Sequence, residues 1–174
     1  FLAVEAAGIS VDMVGANNPA LLEVTLADGR VVPFAVGICF EAGDEHILAE
    51  GIVLGGQAIL IPTNNSHFRA SAESTQQLQM TRFRAAEFSR AALQISTNGV
   101  SAIISPNGDL LAETGRQVAG YLDAEIPLRT QITLAARLAQ RLPLEVIAAS
   151  LIFGFVSILV HTTQWVRRRQ AAEK

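Results

Sequence analysis

From residue 21 onward the apolar positions fall into short blocks separated by polar turns, a pattern of strands and short helices. Residues 21–26 and 30–38 flank Asp28-Gly29 and predict a hairpin whose second strand is buried. Residues 44–54 carry helical spacing closed by Gly55-Gly56, and 58–61 predicts a short apolar strand stopped by Pro62. A polar loop follows over 63–72. Ser74 with Gln77 has the form of a capping box and predicts a helix to about residue 92. Strands are expected at 93–97 and 100–105 around Asn98-Gly99, at 110–113 after the turn Pro106-Asn107-Gly108-Asp109, and at 118–124. Residues 130–140 are weakly helical, and 1–19 lack periodicity and read as loop. The pattern predicts an α/β domain with a strand-rich second half.

The C-terminal stretch differs. Within the stretch 144–166, residues 144–160 are largely apolar, with Glu145 and Ser157 among the exceptions, and Trp165 precedes Arg167, Arg168 and Arg169. A helix rising ~1.5 Å per residue over that stretch crosses a hydrocarbon layer of ~30 Å. The competing reading is a buried core helix. Trp165 suits the headgroup level and the arginines the cytoplasm, which predicts three parts: an extracytoplasmic domain over 1–143, a transmembrane helix over 144–166 and a basic cytoplasmic tail over 167–174. Phe1 is not an initiator residue, and the chain is expected to be the tail of a longer protein.

The 174 residues are 50% hydrophobic and 17% charged, with a net charge of −3, which excludes a disordered chain and a basic nucleic-acid binder. The single cysteine, Cys39, excludes an intrachain disulfide and a Cys/His zinc cluster. All 13 basic residues except Lys174 are arginine, so the domain contains no lysine amine.

Cys39 stands where an apolar strand gives way to a helix, a place from which a side chain can project into a crevice. A buried, inert thiol is the plainer alternative. A thiol on the oxidising side of a membrane is a liability unless it is used, and Glu41 follows two residues later. Around it stand Gly37-Ile38-Cys39-Phe40-Glu41, then the run from Ile61 through Pro62, Thr63, Asn64, Asn65, Ser66 and His67 to Phe68. The helix containing Gln77, Met80, Arg82, Arg84 and Glu87 comes next, and then Ser96-Thr97-Asn98-Gly99-Val100-Ser101. In order and spacing these resemble the nitrilase superfamily, and more closely the bacterial apolipoprotein N-acyltransferases, over about residues 14–138. The Thr63-Asn64-Asn65 form is similar to the actinobacterial branch.

The resemblance implies the second half of a nitrilase-like αββα sandwich followed by one membrane helix. It implies an enzyme of lipoprotein maturation in the bacterial inner membrane, acting as a monomer without metal or cofactor. Its acyl donor would be a phospholipid and its acceptor the N-terminal amine of diacylglyceryl-cysteine in an apolipoprotein. Cys39 matches the nucleophile of a Glu, Lys, Cys set that works through a thioester. The backbone N–H of Phe40 is the expected oxyanion donor, and Glu41 is expected to support the site. Asn64 and Asn65 are expected to hold the loop beside Cys39, with His67 and Phe68 lining the substrate entrance. The base glutamate and the lysine of the family have no match here: Glu5 and Glu23 precede Cys39 outside the motif, and no lysine precedes it. The fragment alone is therefore expected to be inactive. An amidase cleaving carbon–nitrogen bonds, or a non-catalytic membrane-anchored remnant, are the other readings. A triad of Ser66, His67 and Asp44 lacks a supporting Gly-x-Ser-x-Gly elbow. Elsewhere, His46 is expected in solvent, His161 within the membrane helix, and Glu87 paired with both Arg84 and Arg90.

Overall fold

The structure, a computed structural model, describes residues 19–68, 71–139 and 142–172; the loop expected over 1–18 lies outside them. Strands β1 (Leu21–Thr25), β2 (Val31–Val36), β3 (Ala58–Thr63), β4 (Ala92–Ser96), β5 (Ala102–Ile104) and β6 (Leu110–Glu113) form one sheet in sequence order. β2, β3 and β4 are mutually parallel, and β1, β5 and β6 attach antiparallel. The β2 to β3 crossover contains a 3₁₀ turn, Cys39–Gly43, and helix α1 (Glu45–Val53); the β3 to β4 crossover contains a second 3₁₀ turn, Ser66–Phe68, and helix α2 (Glu73–Phe88). Helices α3 (Leu134–Leu138) and α4 (Leu142–Ala172) follow the sheet.

The β1–β2 hairpin turns where Asp28-Gly29 predicts it. Gly29 takes φ 84°, and Asp28 accepts from the Arg30 N–H at 3.0 Å and from its Nε at 2.7 Å. Those bonds hold the Asp28 carboxyl below the usual aspartate range. Asp44 caps α1 by accepting from the His46 N–H at 2.9 Å, which accounts for Asp44 without any triad; His46 itself is exposed.

The core lies on one face of the sheet. Ala35, Ile59, Ile61, Ala92, Ala102 and Ile104 point to it and meet Leu48, Ala49 and Ile52 of α1, Leu78, Ala85 and Phe88 of α2, and Ala136 of α3. Each large apolar side chain buried here contributes about 1.5–3 kcal/mol. By the alternation of strand residues, Phe34, Val36, Leu60, Leu93, Ile95 and Ile103 share the opposite face, also apolar, where Ile95 is 55% exposed. One helical layer on one sheet fits half of an αββα sandwich, with an apolar sheet face opposite the helices.

Three expectations are corrected. β3 does not stop at Pro62 but runs through it to Thr63. Leu60 O accepts from the Gly37 N–H at 3.1 Å, so alternation turns the Pro62 nitrogen toward β2 beyond the last β2 bond, where no N–H is called for. The Ser74–Gln77 capping box does not form: the N-cap of α2 is Ala72, and both polar side chains are buried inside the helix packing. Residues 118–124 form no strand. Gln117 turns the chain with φ 56°, and Val118 and Tyr121 stand 62% and 92% exposed, so the alternation has no sheet to face.

Helix α4 extends over 31 residues, and its window Glu145–Thr162 has mean hydropathy 1.9 with none of its residues buried. It is long and apolar enough to cross a membrane, and it is not a core helix of this domain.

Candidate active site

The carboxyl ends of the three parallel strands lie side by side: β2 leads to Cys39, β3 to Asn64 and β4 to Thr97. This is the end of a parallel sheet at which a crevice forms. Cys39, half-buried, opens its 3₁₀ turn with φ 56°, a left-handed conformation that costs a non-glycine residue of order 1–2 kcal/mol. The turn is braced on both sides. The Ile38 N–H donates to Glu41 Oε2 at 2.7 Å while the Glu41 N–H donates to Ile38 O at 3.0 Å. From α2, Arg84 donates through Nε to Ala42 O at 3.1 Å and through Nη2 to Gly43 O at 2.7 Å.

The Asn-containing loop meets this turn through Phe68, whose ring stands edge-on to that of Phe40 with centroids 5.5 Å apart. Asn64 Oδ1 accepts from the Ser66 N–H at 3.1 Å and from Thr97 Oγ1 at 2.9 Å, tying the β3 loop to the β4 loop. Asn65 is buried in a closed ring of hydrogen bonds. Thr63 Oγ1 donates to Asn65 Oδ1 at 2.9 Å, Asn65 Nδ2 to Gln77 Oε1 at 2.7 Å, and Gln77 Nε2 back to Thr63 Oγ1 at 3.0 Å. Ser96 Oγ also donates to Asn65 Oδ1, at 2.9 Å, and accepts from the Gly99 N–H at 2.7 Å. A ring in which every donor has an acceptor keeps three buried polar side chains from being a penalty and locks both loops in place.

Residues 13–135 match the family of carbon-nitrogen hydrolases. The chain belongs to that family. The chain is 30% identical over 143 residues to the apolipoprotein N-acyltransferase of Mycolicibacterium smegmatis, a match covering 80% of this chain and 24% of that protein. It is 31% identical over 122 residues to the apolipoprotein N-acyltransferase of Shewanella oneidensis, covering 70% of this chain and 24% of that protein. The chain thus spans about a quarter of the length of the curated relatives it matches. Among solved structures, an amidase from Nesterenkonia sp. AN1 superposes with a TM-score of 0.46 at 18% identity, covering 60% of this chain and 40% of that one.

The structure places Cys39, Phe40 and Glu41 in one turn with Phe68 packed against it, and Asn64 and Asn65 in the adjoining loop with side chains turned to β4 and α2. His67 is exposed on the same loop and makes no hydrogen bond among the described residues. The sequence gives Thr63, Gln77 and Ser96 no role in the site, because their partners come from separate elements, and it offers Arg84 only as the ion-pair partner of Glu87. The Arg84–Glu87 pair is present. Arg90 instead lies fully buried, donating to Gly56 O at 2.9 Å and Gln131 O at 2.8 Å. Burial, and then the charge of Arg129, lower its pKa from the ordinary arginine value.

Proposed function

We propose that this chain supplies the nucleophile-bearing half of the catalytic domain, and the membrane anchor, of an apolipoprotein N-acyltransferase. The observation that carries the reading is the left-handed, doubly braced Cys39 at the mouth of three parallel strands. A strained non-glycine residue held at such a place is a natural seat for a nucleophile.

In this reading the Cys39 thiolate attacks the ester carbonyl of a phospholipid. The carbon–sulfur bond forms as the carbon–oxygen bond breaks, and the lysophospholipid leaves with the proton that came from the thiol. The amine of diacylglyceryl-cysteine then attacks the thioester; an amide forms, the carbon–sulfur bond breaks, and the amine's proton restores the thiol. The N–H of Phe40 lies in the first turn of the 3₁₀ segment, where N–H groups have no partner within the helix, and it receives the oxyanion. Glu41 holds the turn. Asn64 and Asn65 fix the adjoining loop, and His67 and Phe68 line the entrance. The base and the second oxyanion donor come from residues outside these 174, so the chain alone is inactive. The apolar sheet face receives the other half of the sandwich, α4 spans the membrane, and the domain lies on its extracytoplasmic side.

The test uses the full-length protein in phospholipid vesicles without an amine acceptor. An acyl mass increase is expected on the tryptic peptide that contains Cys39, removable by neutral hydroxylamine, and both Cys39→Ser and Cys39→Ala should lose it together with N-acylation. N-acyl transfer retained in Cys39→Ala would overturn the reading; release of ammonia from simple amides without acylation by phospholipid would favour the amidase.

A further inference from the structure

We infer that Arg84 is a positioning residue for acyl transfer, its guanidinium setting the orientation of the turn that carries Cys39 and the Phe40 N–H. This rests on Cys39 being the nucleophile. Arg84 belongs to α2, far along the chain from the turn, and it is buried although charged. Its Nε and Nη2 take the carbonyl oxygens of Ala42 and Gly43, the last two residues of the five-residue turn. Carbonyls at the end of a helical segment have no partner within it, and that end carries partial negative charge, so a cation offering two donors suits it.

The guanidinium is itself oriented. Nη1 bonds Glu87 Oε2, and Nη2 lies 3.5 Å from Glu45 Oε2 at the first turn of α1. Ala42 is fully buried, so its carbonyl loses a charged donor held inside the packing if Arg84 is removed. The Cys39 end of the turn is held by the Ile38–Glu41 exchange and the Phe40–Phe68 ring contact; the far end is held by Arg84. A segment this short behaves as one rigid piece, and releasing the far end lets the whole turn rotate, carrying the Phe40 N–H away from the oxyanion. A shift of this kind lowers turnover more than lipid binding, because the donor acts where charge develops. Lysine reaches one carbonyl at a time and cannot reproduce the planar fork.

The experiment measures thioester formation on Cys39 in the full-length protein, its Arg84→Met and its Arg84→Lys variants, at varied phospholipid concentration. Alkylation of Cys39 by iodoacetamide across about pH 6–10 serves as a gauge of the intact thiol environment. Arg84→Met is expected to lower kcat about a hundredfold and leave KM within about twofold, with no added fraction of Cys39 alkylated at the rate of unfolded protein; Arg84→Lys is expected to recover about tenfold of the loss. A parent kcat in either variant overturns the inference, as does a loss that matches the fraction of unfolded protein titrated by the reagent. If Arg84→Met does not fold, Arg84→Lys decides alone: its kcat must fall with KM held. Absence of a thioester in the parent protein strikes the proposed function instead, which keeps the two failures apart.

Discussion

Ile38 and Glu41 exchange hydrogen bonds across Cys39: the Ile38 N–H reaches Glu41 Oε2 at 2.7 Å, and the Glu41 N–H reaches Ile38 O at 3.0 Å. The carboxylate that follows the thiol is therefore engaged with the backbone, an arrangement that suits a brace better than a base.

Glu41→Ala is expected to remove the carboxylate half of that exchange and to slow acylation of Cys39 about ten- to hundredfold, the worth of one hydrogen bond to a charged acceptor. Glu41→Gln keeps an oxygen that can accept from Ile38 and should lose about tenfold or less. Single-turnover acylation of the full-length variants checks both. Equal losses in the two would show that the charge matters for a reason other than the brace.

Asn65→Ala opens the ring and strands the Thr63 hydroxyl and the Gln77 amide in the interior. The expected cost is about 2–4 kcal/mol, read as a lowered denaturation midpoint. Because the residues act as a unit, adding Gln77→Ala should cost clearly less than the sum of the two single changes.

Two glycines at the ends of one segment should answer differently to the same methyl group. At Gly51, an added Cβ would stand 2.9 Å from Ala35 Cβ and 3.0 Å from Ala35 Cα, against backbone that cannot yield, and Gly51→Ala should cost about 3 kcal/mol. At Gly43 the nearest atom would be Met80 Sδ at 3.8 Å, and Gly43→Ala should be neutral or stabilising by about 0.5 kcal/mol. Thermal unfolding of the two variants side by side distinguishes them.

The proposed orientation places Asn107 outside the cell and Ala172 inside. In a Cys39→Ser background, a cysteine substituted for Asn107 should label with a membrane-impermeant thiol reagent on intact cells, and one substituted for Ala172 should label only after lysis. The reverse pattern would invert the topology.

What the sequence made legible was local. Asp28-Gly29 defines its hairpin through its own backbone, Asn107-Gly108 its turn, and the apolar run ending at residue 38 marks where Cys39 leaves the sheet; none of these needs a distant partner. Misreadings came where tertiary structure overrode local preference. Ser74 and Gln77 have the spacing of a capping box, yet burial against β4 and the Asn65 loop claims both side chains. Residues 118–124 alternate like a strand but pair with no strand of the sheet, because the turn at Gln117 leads them away with Val118 and Tyr121 exposed. The place of Cys39 at the end of β2 could be read from the motif around it, whereas the contacts of Arg84 could not, because its bonds to Ala42 and Gly43 exist only after α2 has packed beside the turn.

Under the proposed function, Pro62 has a consequence for how a polypeptide acceptor would be held. Its nitrogen faces the side of β3 from which β2 has already departed at Gly37, so the stretch of strand bordering the crevice lacks the amide donor that an incoming chain would use to extend the sheet. The Pro62 carbonyl remains on that side, so strand addition beside Cys39 is weakened by one bond, and a peptide acceptor in the proposed reaction would depend more on its terminus and side chains than on main-chain pairing at this edge.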